Sequence, residues 1–390
     1  MIITRESLRE LAEYESPKSC ALTFYYQPDT PKDQSHREEA IMVKDLARDA
    51  LHEAEKGGKA EGVRPALHRI LEMADMIHGN GGKAKAIFAD SSNGFWREFD
   101  LPPKLLATRL VVNRRFHLHG LAPLMETTPA VCVCVLDRSK ARLWEMKDGT
   151  LREFFGFFQP RQRKGETQES YGYMAAGRIG RNLAEITKQH YKKVNDTLVK
   201  MYDRDGWDNL VIGCRDDNWA ELSEVLHPYL KQNLAKRLRM EPSSVKEPAL
   251  REEVQKVLQE RQAIRRQELV LEAIGQAHRE SRGALGLRRV LRSMEAGEIQ
   301  TLLLGDRFQA TGSECSHCGH IGLSHEAACT LCDQPAKPVE DLTNAILRMA
   351  LRMNIEIVFV EGNPILEKIG HIAAVLRYRA AKKQNIEMAS

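Results

Sequence analysis

The sequence GALGLRRVLRSMEAGEIQTLLLGD, residues 283–306, joins two patterns that together predict the fold class. Apolar residues between Leu285 and Met294 recur at helical spacing, which indicates an amphipathic helix. The apolar run from Ile299 to Leu304 that follows has the length and aliphatic content of a buried strand. A helix that leads into a buried strand is typical of α/β architecture. This segment therefore predicts an α/β fold.

The same alternation of helix and strand patterns extends over the rest of the chain and predicts three consecutive α/β domains. A Thr-Thr-Pro sequence at 127–129 and a polar stretch at 242–248 are typical of domain boundaries. The predicted domains are residues 1–126, 127–245 and 246–390. In the second domain, the apolar strands 130–137 and 209–214 favour a largely parallel sheet, and residues 216–239 read as helix. In the third, a long charged helix is predicted over 249–279.

Composition excludes several classes of protein. The 390 residues are 42% hydrophobic and 29% charged, with a mean hydropathy of −0.44 and no apolar run near 18 residues, which argues against a membrane span. The first residues, MIITRESLREL, lack the pattern of a secretory signal, so we expect a cytoplasmic protein. The net charge of +4 is compatible with local phosphate-binding surfaces, whereas a histone-like polycation would be far more basic.

Four of the eight cysteines lie within eighteen residues of the predicted third domain, in two C-x-x-C pairs. Two such pairs can close a tetrahedron of thiolates around one ion, and soft thiolates with no open position suit zinc. The sequence therefore predicts a small zinc-knuckle insertion with a structural zinc ion. His317 and His320 are alternative ligands, and a redox role would need one isolated pair. The predicted ligands are Cys315, Cys318, Cys329 and Cys332.

A basic loop precedes a long helix in the predicted second domain. Residues 159–182 are rich in arginine and glycine, and the helix after them carries several lysines. A pliable basic loop that enters the positive end of a helix suits contact with phosphate groups. An ordinary solvated surface loop would have the same composition, and this alternative stays open.

Catalytic motifs are lacking: the sequence has no H-E-x-x-H, no G-x-S-x-G and no P-loop. Taken together, the segments resemble the archaeal and eukaryotic class 1 release factor and Pelota family, in its bacterial branch. The resemblance is strongest in residues 283–306, in the four-cysteine insertion, which archaeal members share, and in GNPILEKIGHIAAVLRY at 362–378. It implies three α/β domains in a tRNA-mimicking arrangement.

Two departures from the family bear on function. Release factors of this family hydrolyse peptidyl-tRNA with a Gly-Gly-Gln tripeptide, which this sequence lacks. The turn between the two helices of the first domain reads Gly57-Gly58-Lys59-Ala60, without the stop-codon-reading Asn-Ile-Lys-Ser. The resemblance thus implies a hibernation factor, not an enzyme, that occupies the ribosomal A site of idle ribosomes.

In that reading the first domain faces the decoding centre and the second faces the peptidyl-transferase centre. The implied partners are 16S and 23S ribosomal RNA and elongation factor Tu, with the protein itself a monomer. The predicted contacts with ribosomal RNA are Lys56, Gly57, Gly58, Lys59, Arg161, Arg163, Lys164, Gln168, Tyr171, Tyr173, Arg178 and Arg181.

Two other functions stay open at the level of sequence. The first is a rescue factor that still hydrolyses peptidyl-tRNA, with Gln168 in the diverged loop placing the water. The second is an RNA-binding scaffold unrelated to ribosomes, which would explain the basic loop but not the carboxyl-terminal motifs.

Overall fold

The computed structural model describes residues 3–29, 35–80, 84–101, 107–126, 129–147, 149–158, 174–315, 317–323, 328–339 and 341–378. The chain divides into two compact units, Met1–Thr127 with Arg266–Ser390, and Thr128–Arg265. Both units combine helices with sheets, which confirms the predicted α/β class. The three-domain boundaries at 126 and 245 stay a prediction. Within the described ranges, every helix is too short or too polar to cross a membrane.

The amino-terminal part of the first unit is built on a four-stranded antiparallel sheet. Its elements are α1 (Arg5–Glu13), β1 (Ala21–Tyr26), α2 (Arg37–Lys56), α3 (Ala60–Asn80), β2 (Lys85–Asp90), β3 (Phe95–Asp100), β4 (Arg109–Asn113) and α4 (Ala122–Met125). The strand order is β3-β2-β1-β4, and the central strand β1 is buried along its whole length. Leu22 and Phe24 point to the face covered by α2 and α3, whereas Tyr25 points to the opposite face, as strand alternation requires.

The second unit contains a five-stranded sheet. Its elements are β5 (Val131–Leu136), β6 (Lys140–Lys147), β7 (Thr150–Phe158), α5 (Met174–Asp205), β8 (Asn209–Gly213), α6 (Asp216–Val225), α7 (Pro228–Gln232), β9 (Leu234–Leu238) and the first part of α8 (Glu247–His278). The apolar run of β5 is buried on both faces, as its sequence predicts. Cys132 and Cys134 pack toward α5, while Val133 and Val135 pack toward α8.

Two predictions for this unit are wrong. The sheet, of order β7-β6-β5-β8-β9, is mixed rather than largely parallel, because β5 pairs antiparallel with the hairpin strand β6 and parallel with β8. Residues 216–239 do not form one helix. Pro228 starts a new short helix after Leu226, and β9 then pairs in parallel with β8.

The carboxyl-terminal part of the first unit follows the end of α8. Its elements are β10 (Gly283–Leu285), α9 (Leu287–Glu295), β11 (Ile299–Gly305), β12 (Gly312–Cys315), β13 (Ile321–Gly322), β14 (Ala336–Val339), α10 (Leu342–Arg352), β15 (Glu356–Val360), α11 (Pro364–Lys368) and β16 (Ile372–Leu376). One sheet has the order β10-β16-β11-β15, and β13-β12-β14 form a smaller one between β11 and α10. Gly283 is required because a Cβ there would lie 2.2 Å from the carbonyl oxygen of Ala273 in α8.

His190 makes the stability of the second unit sensitive to acid. Its side chain is buried on the inner face of α5, and burial lowers its pKa below 6.5 in spite of the nearby backbone of Lys140 and Asp137. The unfolded chain therefore takes up the proton first, and stability is lost as the pH falls below about 6.5. We expect the melting temperature of this unit to fall between pH 7.5 and 5.5 in the wild type, and to fall less in His190→Leu. Calorimetry measures both, and equal decreases would contradict this role of His190.

Candidate metal centre and basic surfaces

The four predicted cysteine ligands converge at one point of the small sheet. The sulfur of Cys315 lies 3.5 Å from that of Cys332, and the sulfur of Cys318 lies 3.6 Å from Cys329 and 3.4 Å from Cys332. Thiolates around a tetrahedral zinc ion would be about 3.8 Å apart, given Zn–S bonds of about 2.3 Å. The donor set and its spacing therefore fit a four-coordinate metal ion.

The two C-x-x-C turns have the same backbone geometry. In the first, the N–H of Cys315 donates to the carbonyl of His320 and that of Gly319 donates back to Cys315. In the second, Cys329 donates to Gln334 and Asp333 donates back to Cys329. Gly319 and Asp333 hold equivalent positions in the two turns, and both have positive φ angles, of 73° and 54°. In each turn, the N–H two residues after the first cysteine also donates to its sulfur, at 3.4 Å.

This repeated geometry prepares the sulfurs for metal binding. The N–H groups of Cys318 and His317 donate to the sulfur of Cys315 and lower the pKa of that thiol to about 6. The Gln334 N–H lowers the pKa of Cys332, but burial and the neighbouring sulfurs outweigh it and raise this pKa to about 12. The thiolate form is thus favoured at Cys315 while Cys332 holds its proton, and a divalent cation would displace that proton.

The alternative ligand His320 has other partners. Its Nδ1 lies 2.8 Å from a carboxylate oxygen of Glu295, and its Nε2 lies 3.1 Å from the hydroxyl of Thr330. His317 is exposed, and its backbone rather than its ring contacts Cys315. The four sulfur atoms are therefore the donors of this cluster that could hold a metal ion.

The predicted turn at residues 56–59 is the tip of a helical hairpin formed by α2 and α3. Helix α2 ends in a Schellman motif: the N–H of Lys59 donates to Ala54 at 2.8 Å, and Gly58, with φ of 67°, donates to Glu55. Lys56, Gly57 and Gly58 are exposed, and Lys59 is half-buried. The sequence thus places a compact turn with two lysines at the end of a rigid hairpin.

The basic loop of the second unit falls largely outside the described residues. Arg178 and Arg181 belong to helix α5, but their side chains are not among those described. Further along α5, the side of the helix opposite the buried Tyr191 and Val194 carries exposed lysines, as the sequence predicts. These lysines are Lys188, Lys192, Lys193 and Lys200. The predicted contacts that lie outside the described residues are Arg161, Arg163, Lys164, Gln168, Tyr171 and Tyr173.

Sequence reasoning missed a second group of possible metal ligands, formed by His117, His119 and Asp341 in the first unit. Burial, followed by the positive charge of Arg109, lowers the pKa of His117 to about 4. Burial would raise the pKa of Asp341, but hydrogen bonds from His119 and Thr343 lower it to about 2. The sequence held one local signal of this group, the His-x-His spacing of His117 and His119, because Asp341 is 222 residues away from His119.

A comparison with curated proteins finds no match. Solved structures that match the chain do so at low identity and with low TM-scores, as three of them show. An archaeal translation termination factor, aRF1, is 16% identical, with 97% of this chain and 99% of that chain covered and a TM-score of 0.26. Pelota from Archaeoglobus fulgidus is 14% identical, with coverages of 77% and 80% and a TM-score of 0.35. Dom34 from S. cerevisiae is 11% identical, with coverages of 77% and 81% and a TM-score of 0.37.

A match to a family model is confined to the middle of the chain. It begins shortly after β4, includes the whole five-stranded sheet of the second unit and ends at the end of α8. Residues 117–279, less than half of the chain, match the model of the bacterial archaeo-eukaryotic release factor family 10.

Proposed function

We propose that the chain is a ribosome-binding translation factor of the bacterial archaeo-eukaryotic release factor family. The observation that carries this proposal is the family match over residues 117–279, which contains the sheet β5–β9 and the lysine-bearing helix α5. Exposed lysines along a helix suit the sugar-phosphate backbone of RNA, which proteins recognise mainly by shape and charge.

The specific role proposed is hibernation, with a mode of action like that of the bacterial factor Balon. The protein would occupy the A site of idle ribosomes without releasing a peptide. Two absences support this role: the sequence has neither the Gly-Gly-Gln tripeptide with which release factors hydrolyse peptidyl-tRNA nor the stop-codon-reading Asn-Ile-Lys-Ser. The hairpin tip at residues 56–59 would contact 16S ribosomal RNA, and the basic loop with α5 would contact 23S ribosomal RNA.

The remaining parts of the proposal concern partners and cofactor. The four-cysteine cluster would hold a structural zinc ion, since four thiolates leave no position for a water molecule. We assign the protein to the cytoplasm, as a monomer that elongation factor Tu can accompany on the ribosome. The ion would stabilise the fold of β12–β14 and take no part in chemistry.

A single-turnover peptide-release assay separates hibernation from rescue. The purified protein is mixed with ribosomes that carry labelled peptidyl-tRNA, and free peptide is measured. We expect no release above the rate without protein, because the residues that place the hydrolytic water are lacking. Stoichiometric release that disappears in Gln168→Ala would overturn the hibernation proposal and support a rescue enzyme.

The hairpin tip gives a prediction about salt dependence. Replacing Lys56 and Lys59 by alanine should weaken ribosome binding. The plot of log affinity against log salt should also become less steep, by about 1 for each phosphate group that a lysine no longer neutralises. Lys18→Ala serves as a charge-matched control for each single substitution, because Lys18 is an exposed lysine of the loop before β1, beside the tip but outside it. Equal slopes for the wild type and the double variant would exclude this tip from the interface with RNA.

A further inference from the structure

Two histidines and one carboxylate meet in the first unit, and none of the four clustered cysteines belongs to this group. His117 and His119 flank the fully buried Leu118, and both histidines are half-buried. Their ring centroids are 6.1 Å apart. Asp341 precedes α10, and one of its carboxylate oxygens lies 3.4 Å from Nδ1 of His119. The nitrogen and oxygen donors of the three residues all lie within 4.8 Å of one another.

The backbone that carries the two histidines is fixed from both sides. The N–H of His117 donates to the hydroxyl of Thr23 at 3.0 Å, and the hydroxyl of Tyr25 donates to the carbonyl of His117. Asn344 accepts from the N–H of Leu118 at 2.7 Å and donates to the carbonyl of Phe116. These bonds tie the segment to β1 and to the first turn of α10, and so fix the backbone from which the two imidazoles extend.

Asp341 is also held in place, and one of its two carboxylate oxygens makes the hydrogen bond that holds it. Its Oδ1 caps α10 by accepting from the N–H of Thr343 at 2.9 Å, which leaves Oδ2 directed toward His119. The side chains of His119 and Asp341 are 35% and 38% exposed. An ion from solvent can therefore reach these two side chains without any opening of the core.

We propose that His117, His119 and Asp341 form a second metal site, for a divalent first-row transition metal such as Zn²⁺. Two imidazole nitrogens and one carboxylate oxygen are a donor set that these ions prefer over Mg²⁺ or Ca²⁺. Donor atoms bound to one zinc ion would be about 3 to 3.4 Å apart. The three donors here are at most 4.8 Å apart, so side-chain rotations that move the donor atoms by about 1.5 Å or less would bring them to bonding distance. This site is independent of the proposed ribosomal function.

Three protein ligands would leave one coordination position open. A cavity of about 310 Å³ adjoins both histidines, and Arg109 lies on its wall. The open position could thus take water or a small anion that the guanidinium also attracts. The four-cysteine cluster differs in this respect, because its sulfurs fill the whole coordination sphere of an ion.

The site can be tested on the full, untagged chain after its cysteine cluster has been saturated with one equivalent of Zn²⁺. Cobalt(II) is then added, and its binding is followed by visible absorption and calorimetry. We expect a second equivalent to bind with d–d bands but without the thiolate-to-cobalt charge transfer that sulfur ligands give. Asp341→Asn and His119→Gln should each weaken this binding by more than about 100-fold.

Asp341→Asn is the informative variant, because asparagine caps a helix as well as aspartate and the fold is retained. His68→Gln, an exposed histidine on α3, is the matched control and should bind cobalt like the wild type. Binding of one metal ion per chain in the wild type would overturn the proposal. Equal second-site binding in the wild type and in both ligand variants would overturn it as well.

Discussion

Removal of the metal from the four-cysteine cluster is expected to unfold β12, β13 and β14 while the second unit keeps its structure. The three strands have four, two and four residues, and few apolar side chains besides Ile321 and Val339 pack against the core. So small a sheet cannot bury enough apolar surface to stay folded without a cross-link. A bound ion would therefore contribute most of the stability of this insertion.

Hydrogen exchange read by mass spectrometry measures this effect. In the metal-loaded protein, amides of β12 and β14 should be protected, and chelation should remove that protection while β5 stays protected. Cys318→Ser should bind metal more than about 100-fold more weakly, since it removes a ligand itself. Cys214→Ser, a buried cysteine of the second unit, is the matched control. Unchanged protection of 312–339 after chelation would show that the insertion folds without the ion.

Replacement of Glu314 by glutamine is expected to destabilise the first unit by about 3 kcal/mol. Glu314 lies in β12, where both of its carboxylate oxygens accept from the guanidinium of Arg348, at 2.8 and 2.9 Å, and Arg115 donates to the same carboxylate. The side chains of Arg348, Glu314 and Arg115 are only 9%, 17% and 21% exposed. Glutamine would leave two largely buried guanidinium groups without their shared carboxylate.

The effect can be measured in the zinc-saturated protein by calorimetry, where a loss of about 3 kcal/mol should lower the melting temperature by about 6–12 °C. Burial already lowers the pKa of Arg348 despite the attraction of Glu314, so the double variant Glu314→Gln, Arg348→Met should recover part of the loss. Glu10→Ala, which breaks the exposed pair with Arg97, should cost less than about 1 kcal/mol. Similar losses of stability in Glu314→Gln and Glu10→Ala would contradict the view that burial makes the Glu314 ion pairs important for stability.

Much of the fold could be predicted because its central strands are continuous apolar runs. The runs at 131–136 and 209–213 form neighbouring strands, and the run at 299–305 forms the centre of a sheet in the first unit. The bounds of α8, Glu247–His278, also lie within two residues of the predicted 249–279. The two C-x-x-C pairs needed no structure to be recognised.

Other features could not be predicted because they depend on residues distant in the chain. Strand β9 has the sequence LAKRL, which shows no alternation, and it is a strand because its backbone pairs with β8. Strand β4 likewise pairs with β1 across more than 80 residues. The cluster of His117, His119 and Asp341 depends on the packing of α10 beside the segment after β4, which no spacing in the sequence reveals.

The central proposal is that this chain binds the ribosome, and co-sedimentation with vacant ribosomes tests it most directly. The full chain is centrifuged through a sucrose cushion with ribosomes at low salt and again at high salt. We predict stoichiometric co-sedimentation at low salt that declines as salt rises, because binding to phosphate groups releases counterions. Absence of the protein from the ribosomal pellet at low salt would contradict the proposal, in both its hibernation and its rescue form.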